Sequence, residues 1–109
     1  MASYININID QGASFALQMT LSDEQGNLID VGQYAFTAML RQNYNRDPIL
    51  EFHIDITDHL NSQIEMSLTP PQTATLKAGV YVWDIIGLLP NGDVARIAQG
   101  QAEVIEGVT

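Results

Sequence analysis

Apolar and polar residues alternate with a period of two along most of this chain. The alternating segments are YININID (4–10), SFALQMTLS (14–22), YAFTAMLRQ (34–42), ILEFHIDIT (49–57) and IEMSL (64–68). Successive side chains of a strand point to opposite faces, so a period of two predicts β-structure and excludes an amphipathic helix. These segments are therefore expected to be half-buried antiparallel strands, with apolar residues towards a core and polar residues towards water.

Turn signals punctuate the strands at short intervals. The segments DEQGN (23–27) and NYNRDP (43–48) are turns, and Asn91-Gly92 predicts a tight hairpin after VYVWDIIGLL (80–89). Thr69 followed by Pro70 is typical of a helix N-terminus, so one short helical turn is expected near residues 70–76. Gly100, between VARIAQG and QAEVIEG, predicts a bulge or a kink within one long strand.

The predicted fold is an all-β, immunoglobulin-like antiparallel β-sandwich of about seven or eight strands. The chain of 109 residues is expected to form one domain, residues 1–109, because 46% hydrophobic residues can fill a single core. Regular short strands with frequent turns are typical of sandwiches and small barrels.

A corner between two late strands favours the sandwich. Leu76, Gly79 and Tyr81 resemble the tyrosine corner, in which a hydroxyl bonds to backbone a few residues upstream. Trp83 follows two residues later, where a large inward ring could fill the space that a disulfide occupies in antibody domains. The alternative is that Tyr81 and Trp83 are two ordinary core aromatics.

Composition narrows the range of partners. The chain carries 13 acidic and 4 basic residues, a formal net charge of -9, and the bases are scattered. Nucleic acids and anionic membrane surfaces are bound by clustered Lys and Arg, so neither is expected as a partner. Cysteine is absent, which excludes disulfides and thiolate metal sites. We expect no signal peptide at the start of this sequence and no transmembrane segment, since no run reaches roughly 18 apolar residues.

The order of these segments resembles small β-sandwich modules of tailed-bacteriophage virions, in particular the N-terminal module of upper-baseplate proteins and domains of neck and tail-accessory proteins. The shared features are a glycine-containing first turn, the Gly-x-Tyr-x-Trp-Asp run of residues 79–84, an Asn-Gly hairpin and a closing strand after a glycine. The resemblance implies a virion structural or adaptor protein, made in the host cytoplasm, that binds other virion proteins and itself as a homo-oligomer. Upper-baseplate proteins continue into further domains, whereas this sequence stops at Thr109, which implies a stand-alone component.

A neutral stretch on the first strands is the predicted interface. The outward residues there carry no charge although the protein is strongly acidic, and interface cores are depleted in charge. The alternative is an ordinary solvated sheet. The candidate interface residues are Asn6, Asn8, Ala16, Gln18 and Thr20.

No catalytic motif is present, so an enzyme is not expected. His53 and His59 are the candidates for chemistry near neutral pH, but Glu51, His53 and Asp55 lie in a row on one strand and do not converge as a site requires. Calcium on Asp55, Asp58 and nearby carbonyls is the rival site, although two carboxylates are too few to specify that ion. We therefore expect no cofactor, no metal and no small-molecule substrate.

A carbohydrate-binding or adhesion module is the alternative function. Exposed aromatic rings such as Tyr44 and Trp83 would stack on sugars in such a module. Trp83 is expected in the core and Tyr44 stands alone in its loop, so the sequence predicts no aromatic platform.

Overall fold

The structure, a computed structural model, describes residues 3–22 and 25–107. These residues form eight strands, one 3-10 turn (Val31–Gln33) and one short helix. The elements are β1 (Ser3–Tyr4), β2 (Ile7–Asp10), β3 (Phe15–Thr20), β4 (Ala35–Arg41), β5 (Pro48–Asp58), β6 (Gln63–Leu68), α1 (Pro70–Ala74), β7 (Gly79–Leu88) and β8 (Val94–Ile105). The predicted all-β class and strand number are confirmed. The first predicted turn, DEQGN, lies partly outside the described residues.

The eight strands belong to one mixed sheet that curls into a half-barrel. Its order is β1-β8-β7-β4-β5-β6-β3, with β2 also paired to β8. The sequence predicted two separate layers, but β5 joins them. Residues 48–52 of β5 pair with β4, and residues 53–58 pair with β6. We call β1, β2, β8, β7, β4 and residues 48–52 the large half, and residues 53–58, β6 and β3 the small half.

The prediction that all strands are antiparallel was wrong for β1 and β2. Both run parallel to β8, with Ser3 opposite Ala98 and Ile7 opposite Ala102. Alternation predicts which side chains face the core, but it contains no information on strand direction. After β2 the chain crosses to the small half, so β2 forms no hairpin with β3 and aligns with the C-terminal strand instead.

The core fills the concave side of the curled sheet. Its largest fully buried side chain is Trp83, which is 1% exposed, and the buried residues on β2, β6 and β7 follow the predicted alternation. Trp83 packs edge-on against Phe52 with ring centroids 6.5 Å apart, and Phe52 also contacts Phe15 at 6.0 Å. This aromatic group therefore links strands of both halves.

Helix α1 begins where the sequence predicted and ends at Ala74. Thr69 accepts a hydrogen bond from the Gln72 amide at 3.4 Å, and the Gln72 side chain accepts one from the Thr69 amide at 2.9 Å. This reciprocal capping box satisfies amide groups that the first turn leaves unpaired, and proline at the first helical position lacks one of them. Both helical segments are far too short to span a membrane, and no membrane-spanning helix occurs in the described parts of the chain.

Gly100 lies inside one continuous strand, β8. The residues between β1 and β2 pass directly over it. The Ile5 amide donates to the Gln99 carbonyl at 2.8 Å, and the Ile5 carbonyl accepts from Trp83 Nε1 at 3.0 Å. A Cβ at position 100 would overlap this Ile5 carbonyl. Glycine is thus required because the N-terminal segment crosses the strand at this position. The irregularity of register lies elsewhere, opposite Ile85 and Ile86.

Candidate protein interface

The convex side of the large half exposes an apolar central strand. The outward residues of β7 are Val80, Val82, Asp84, Ile86 and Leu88, since Tyr81, Trp83 and Ile85 point to the core. Val80 is 61% exposed and Leu88 is 45% exposed. An outward face of a central strand that meets water is normally polar. We call this surface, with the neighbouring outward residues of β4, β5 and β8, the β7 face.

Apolar side chains continue the β7 face onto the flanking strands at both ends. Leu88 pairs with Val94 of β8, which is 61% exposed, and with Ala35 of β4. At the other end Val80 lies near Ile105, and Ile49 of β5 is also exposed. From Val80 to Leu88 the strand extends about 26 Å, at roughly 3.3 Å per residue. The exposed apolar residues are therefore spread over the whole length of the strand.

Asp84 interrupts the apolar strand but is largely covered. Its side chain is 14% exposed and its Oδ2 lies 3.7 Å from Nη2 of Arg96, which also donates to Gln99 Oε1 at 3.1 Å. At the level of Asp84, the residues that pair across neighbouring strands of the face are, in order, Tyr4 of β1, Gln99, Asp84, Met39 and Glu51 of β5. The Asp84 carboxylate therefore lies in the middle of the surface, where Arg96 balances its charge.

Tyr44 folds from the β4–β5 loop onto the same face. Its hydroxyl lies 3.3 Å from the Trp83 carbonyl and 3.2 Å from the Gly100 carbonyl, which belong to one registered pair. Burial raises the pKa of Tyr44, and the nearby Tyr4 and Asp84 add to this effect. The tyrosine thus fastens the loop to the sheet and presents one side of its ring to solvent.

Charge is unevenly divided between the two convex surfaces. Arg41 and Arg96 lie on the β7 face and Arg46 lies beside it, where its carbonyl accepts from Arg41 Nη1 at 3.0 Å. Three of the four basic residues are therefore on or next to this face. The convex side of the small half instead carries Asp55 and Glu65, which lie in one row of its registered strands. Although the β7 face also carries Glu51, Asp84 and Glu103, its arginines leave it with the smaller net negative charge of the two surfaces.

The structure does not bring the predicted interface residues onto one face. Asn6 and Asn8 belong to the N-terminal segment beside β8, and the Asn6 side chain accepts from the Gln101 amide at 3.2 Å. Ala16, Gln18 and Thr20 are on β3, at the other end of the strand order. All five are exposed. Glu65 lies opposite Gln18, so the outward surface around β3 is not free of charge.

The residues of the predicted corner lie together at the end of α1. The Tyr81 hydroxyl donates to the Lys77 carbonyl, four residues upstream, at 2.7 Å. Leu76 is buried, and its carbonyl accepts from Gln11 Nε2 at 2.6 Å. Gly79 begins β7 with a φ of 153°. These bonds tie the crossing between the small and the large half to the N-terminal turn.

Changing Tyr81 to phenylalanine should test the corner. Loss of the bond to the Lys77 carbonyl is expected to lower the free energy of unfolding by about 0.5–1.5 kcal/mol, measured by urea denaturation. The control is Tyr34→Phe, because the Tyr34 hydroxyl has no hydrogen bond to any described residue. If both variants lose the same stability, the corner bond is not stabilising.

The histidines and their acidic neighbours lie in separate places. His53 Nε2 is 3.0 Å from Asp55 Oδ1 on the exposed convex side of the small half, whereas Glu51 lies on the large half. The imidazole of His59 packs on the backbone of Gly32, 3.6 Å from Asp30 Oδ1. Within the described ranges, no group of three or more His, Asp or Glu side chains is placed to hold a metal ion.

Asp58, a ligand in the rival calcium hypothesis, is engaged by its own turn. Its carboxylate accepts from the amides of Leu60 and Asn61 at 3.2 Å and from Asn61 Nδ2 at 2.7 Å. The Asn61 side chain and then the Asn61 amide lower the pKa of Asp58. The carboxylate therefore has the role of a turn-forming residue.

The β7 face did not follow from the alternation of Tyr81, Trp83 and Ile85, which indicates only the inward side of this strand. The signal was present in VYVWDIIGLL, which is apolar almost without interruption. Continuous apolar runs are typical of strands that are buried on both faces. Trp83, by contrast, is in the core as expected and cannot stack on a sugar.

A scan against protein-family models finds no match for this chain, and a search of curated proteins finds no significant relative.

Proposed function

We propose that this chain is a non-enzymatic structural or adaptor protein of a tailed-bacteriophage virion, which assembles through protein–protein contacts in the baseplate, neck or tail. The observation that carries this proposal is the uncovered β7 face. Four of its five outward β7 residues are apolar, and two of them, Val80 and Leu88, are more than 40% exposed. Exposed apolar groups mark protein interaction sites on globular proteins, and two such groups, at Val80 and at Leu88 with Val94, lie on this one face.

The partner of the β7 face is a neighbouring virion protein with an apolar surface of its own. Burial of the central strand would then match the two-sided apolar pattern of its sequence. Arg41 and Arg96 lie on the face, and Arg96 balances the charge of Asp84 between the two apolar ends of the face. A face with little net charge is also the surface at which an acidic protein meets a second acidic protein with least repulsion.

The fold proposed for this module is the immunoglobulin-like sandwich. The bond from Tyr81 to the Lys77 carbonyl and the buried ring of Trp83 support it, because both features are typical of that fold. The parallel pairing of β2 with β8 and the crossing of β5 between the halves are compatible with a sandwich whose layers share one strand. The resemblance to phage modules, through residues 79–84 and the Asn91-Gly92 hairpin, supports the virion location.

The proposed module binds neither nucleic acid nor a membrane, and it needs no cofactor. The convex surface of the small half is acidic, and the basic residues of the β7 face are interleaved with Glu51, Asp84 and Glu103. Carbohydrate binding remains the alternative function. Its aromatic contacts would have to come from Tyr4 and Tyr44, because Trp83 is enclosed.

Lysine substitutions on the β7 face should test the proposal. The chain is co-expressed with the products of the flanking genes, and complexes are detected by co-elution and multi-angle light scattering. The double variant Val80→Lys, Leu88→Lys is expected to weaken the complex at least tenfold, equivalent to about 1.4 kcal/mol, because two charges would be buried in an apolar contact.

The matched control is Thr57→Lys, Leu60→Lys. Both residues are also exposed, but Thr57 lies on the convex side of the small half, near Gln18, and Leu60 lies in its hairpin. This variant adds the same charge and should leave the complex intact. The proposal is contradicted if the flanking genes encode no tail or neck proteins, or if both variants bind equally well.

A further inference from the structure

The outer edge of β3 has the properties of a site for strand pairing. β3 is the last strand in the order of the described sheet, so it is hydrogen-bonded to β6 on one side only. Proteins normally protect such an edge with charged residues, proline, a bulge or a very short strand. β3 has six residues, FALQMT, without charge or proline, and its register with β6 continues without a shift over all six pairs.

The backbone groups that face this edge can be identified from the register. The Leu21 amide donates to the Ser62 carbonyl at 2.9 Å, which continues the pairing of Thr20 with Gln63. Along a pair of antiparallel strands, residues that exchange both backbone hydrogen bonds with the partner strand alternate with residues whose amide and carbonyl point away from it. Leu17 and Met19 therefore bond to β6, whereas the amides and carbonyls of the alternate residues face the edge. Those alternate residues are Ala16, Gln18 and Thr20.

The edge is also open. The opposite end of the sheet, at β1, does not pair with β3, and a cavity of about 260 Å³ lies between them. Ser3 and Ile5 line one side of this cavity, and Gln18 and Thr20 line the other. The half-barrel is thus not closed by backbone pairing at this seam, and the outer edge of β3 has no partner strand within the described sheet.

We propose that β3 pairs antiparallel with β3 of a second copy, around a two-fold axis at Gln18. In this register Gln18 lies opposite Gln18 of the second copy, and Ala16 lies opposite Thr20. All three edge-facing residues then exchange both backbone bonds, about six in total. On the inner side Leu17 lies opposite Met19, so that the apolar layers of the two copies become continuous.

The charge of the protein favours a second copy as the occupant of this edge. None of the facing side chains is charged, although the chain has a net charge of -9, so no like charges are directly opposed. The nearest acidic residue in the row is Glu65, one strand inside the edge. Two copies of Glu65 would be three strand spacings apart, about 14 Å, which exceeds the Debye length of about 8 Å at physiological salt.

The dimer does not depend on the β7 face. The two surfaces lie on different halves of the sheet, so a dimer that pairs through β3 leaves the β7 face open to a virion partner. The Val80→Lys, Leu88→Lys variant should therefore keep the mass of the dimer. A failure of either proposal can thus be recognised separately.

A cysteine scan tests both the dimer and its register, because the natural chain has no cysteine. Gln18→Cys should form a disulfide-linked dimer under oxidised glutathione, since directly opposed Cα atoms at about 5.5 Å are within disulfide reach. Ala16→Cys is the matched control on the same strand. Its counterpart in the second copy lies about 13 Å away along the strand, and it should cross-link at least tenfold more slowly.

Sedimentation velocity provides an independent readout. The wild type is expected at twice the monomer mass of 12.0 kDa. Gln18→Lys opposes two ammonium groups at the axis and should raise the dissociation constant at least tenfold, whereas Ser67→Lys, one strand inside, should not. A monomeric wild type, equal cross-linking of the two cysteine variants, or an unchanged mass for Gln18→Lys would each overturn the proposal.

Discussion

Replacing Gly100 by alanine is expected to lower the free energy of unfolding by about 2–6 kcal/mol. The new methyl group would overlap the Ile5 carbonyl. Ile5 cannot easily move, because its amide donates to the Gln99 carbonyl and its carbonyl accepts from the indole of Trp83. Overpacking of this kind costs about 1–3 kcal/mol, and an indole N–H left without its acceptor adds about 1–3 kcal/mol. Urea denaturation measures the loss.

The same substitution at Gly12 is the matched control. Gly12 has a φ of 82°, and a Cβ there would meet no atom within 4 Å. Gly12→Ala should therefore show only the backbone strain of a left-handed residue, about 1 kcal/mol. Equal losses for the two variants would mean that the segment at Ile5 moves away from Gly100 at little cost, and the role assigned to the crossing would be wrong.

Truncating Trp83 to alanine is expected to be the most destabilising single change on the core side of β7. The side chain is 1% exposed and packs on Phe52, and its removal leaves a cavity that costs about 3–5 kcal/mol. Since domains of this size are stable by about 5–15 kcal/mol, the variant is expected to be partly unfolded at physiological temperature. Circular dichroism and thermal unfolding measure the effect.

Trp83→Phe separates ring volume from the hydrogen bond to Ile5. It keeps an aromatic ring in the core but leaves the Ile5 carbonyl without its donor, so a loss of about 1–3 kcal/mol is expected. Trp83 is the only tryptophan, and the wild-type fluorescence should therefore show a buried indole that shifts to the red on unfolding. A red-shifted emission from the folded protein would contradict the enclosed position of this ring.

Local features of the fold followed from the sequence. Alternation identified the inward residues of β2, β3, β5 and β6, and Thr69 with Pro70 located the helix, because strand faces and helix caps depend on neighbours in the chain. Pairing direction did not follow. The parallel alignment of β2 with β8 joins residues almost 100 positions apart, and nothing in the pattern of either segment specifies the direction of its partner.

The candidate interface could be predicted only in part. The lack of charge on Ala16, Gln18 and Thr20 was evident in the sequence, but their edge position depends on where β3 falls in the strand order. Asn6 and Asn8 share this lack of charge in the sequence, but they belong to the opposite end of the sheet. The β7 face could not be predicted, because the sequence does not show which side of that strand is covered by other elements.

The crossing of β5 has a mechanical consequence. This strand is hydrogen-bonded to β4 through its first residues and to β6 through its last, so no flexible linker separates the two halves. Suppose that one binding partner pulls on the large half and another on the small half, along β5. Many backbone hydrogen bonds would then have to break at once, because they would be sheared and not peeled apart one by one. A continuous strand of this kind therefore resists a force that acts along it between the two halves.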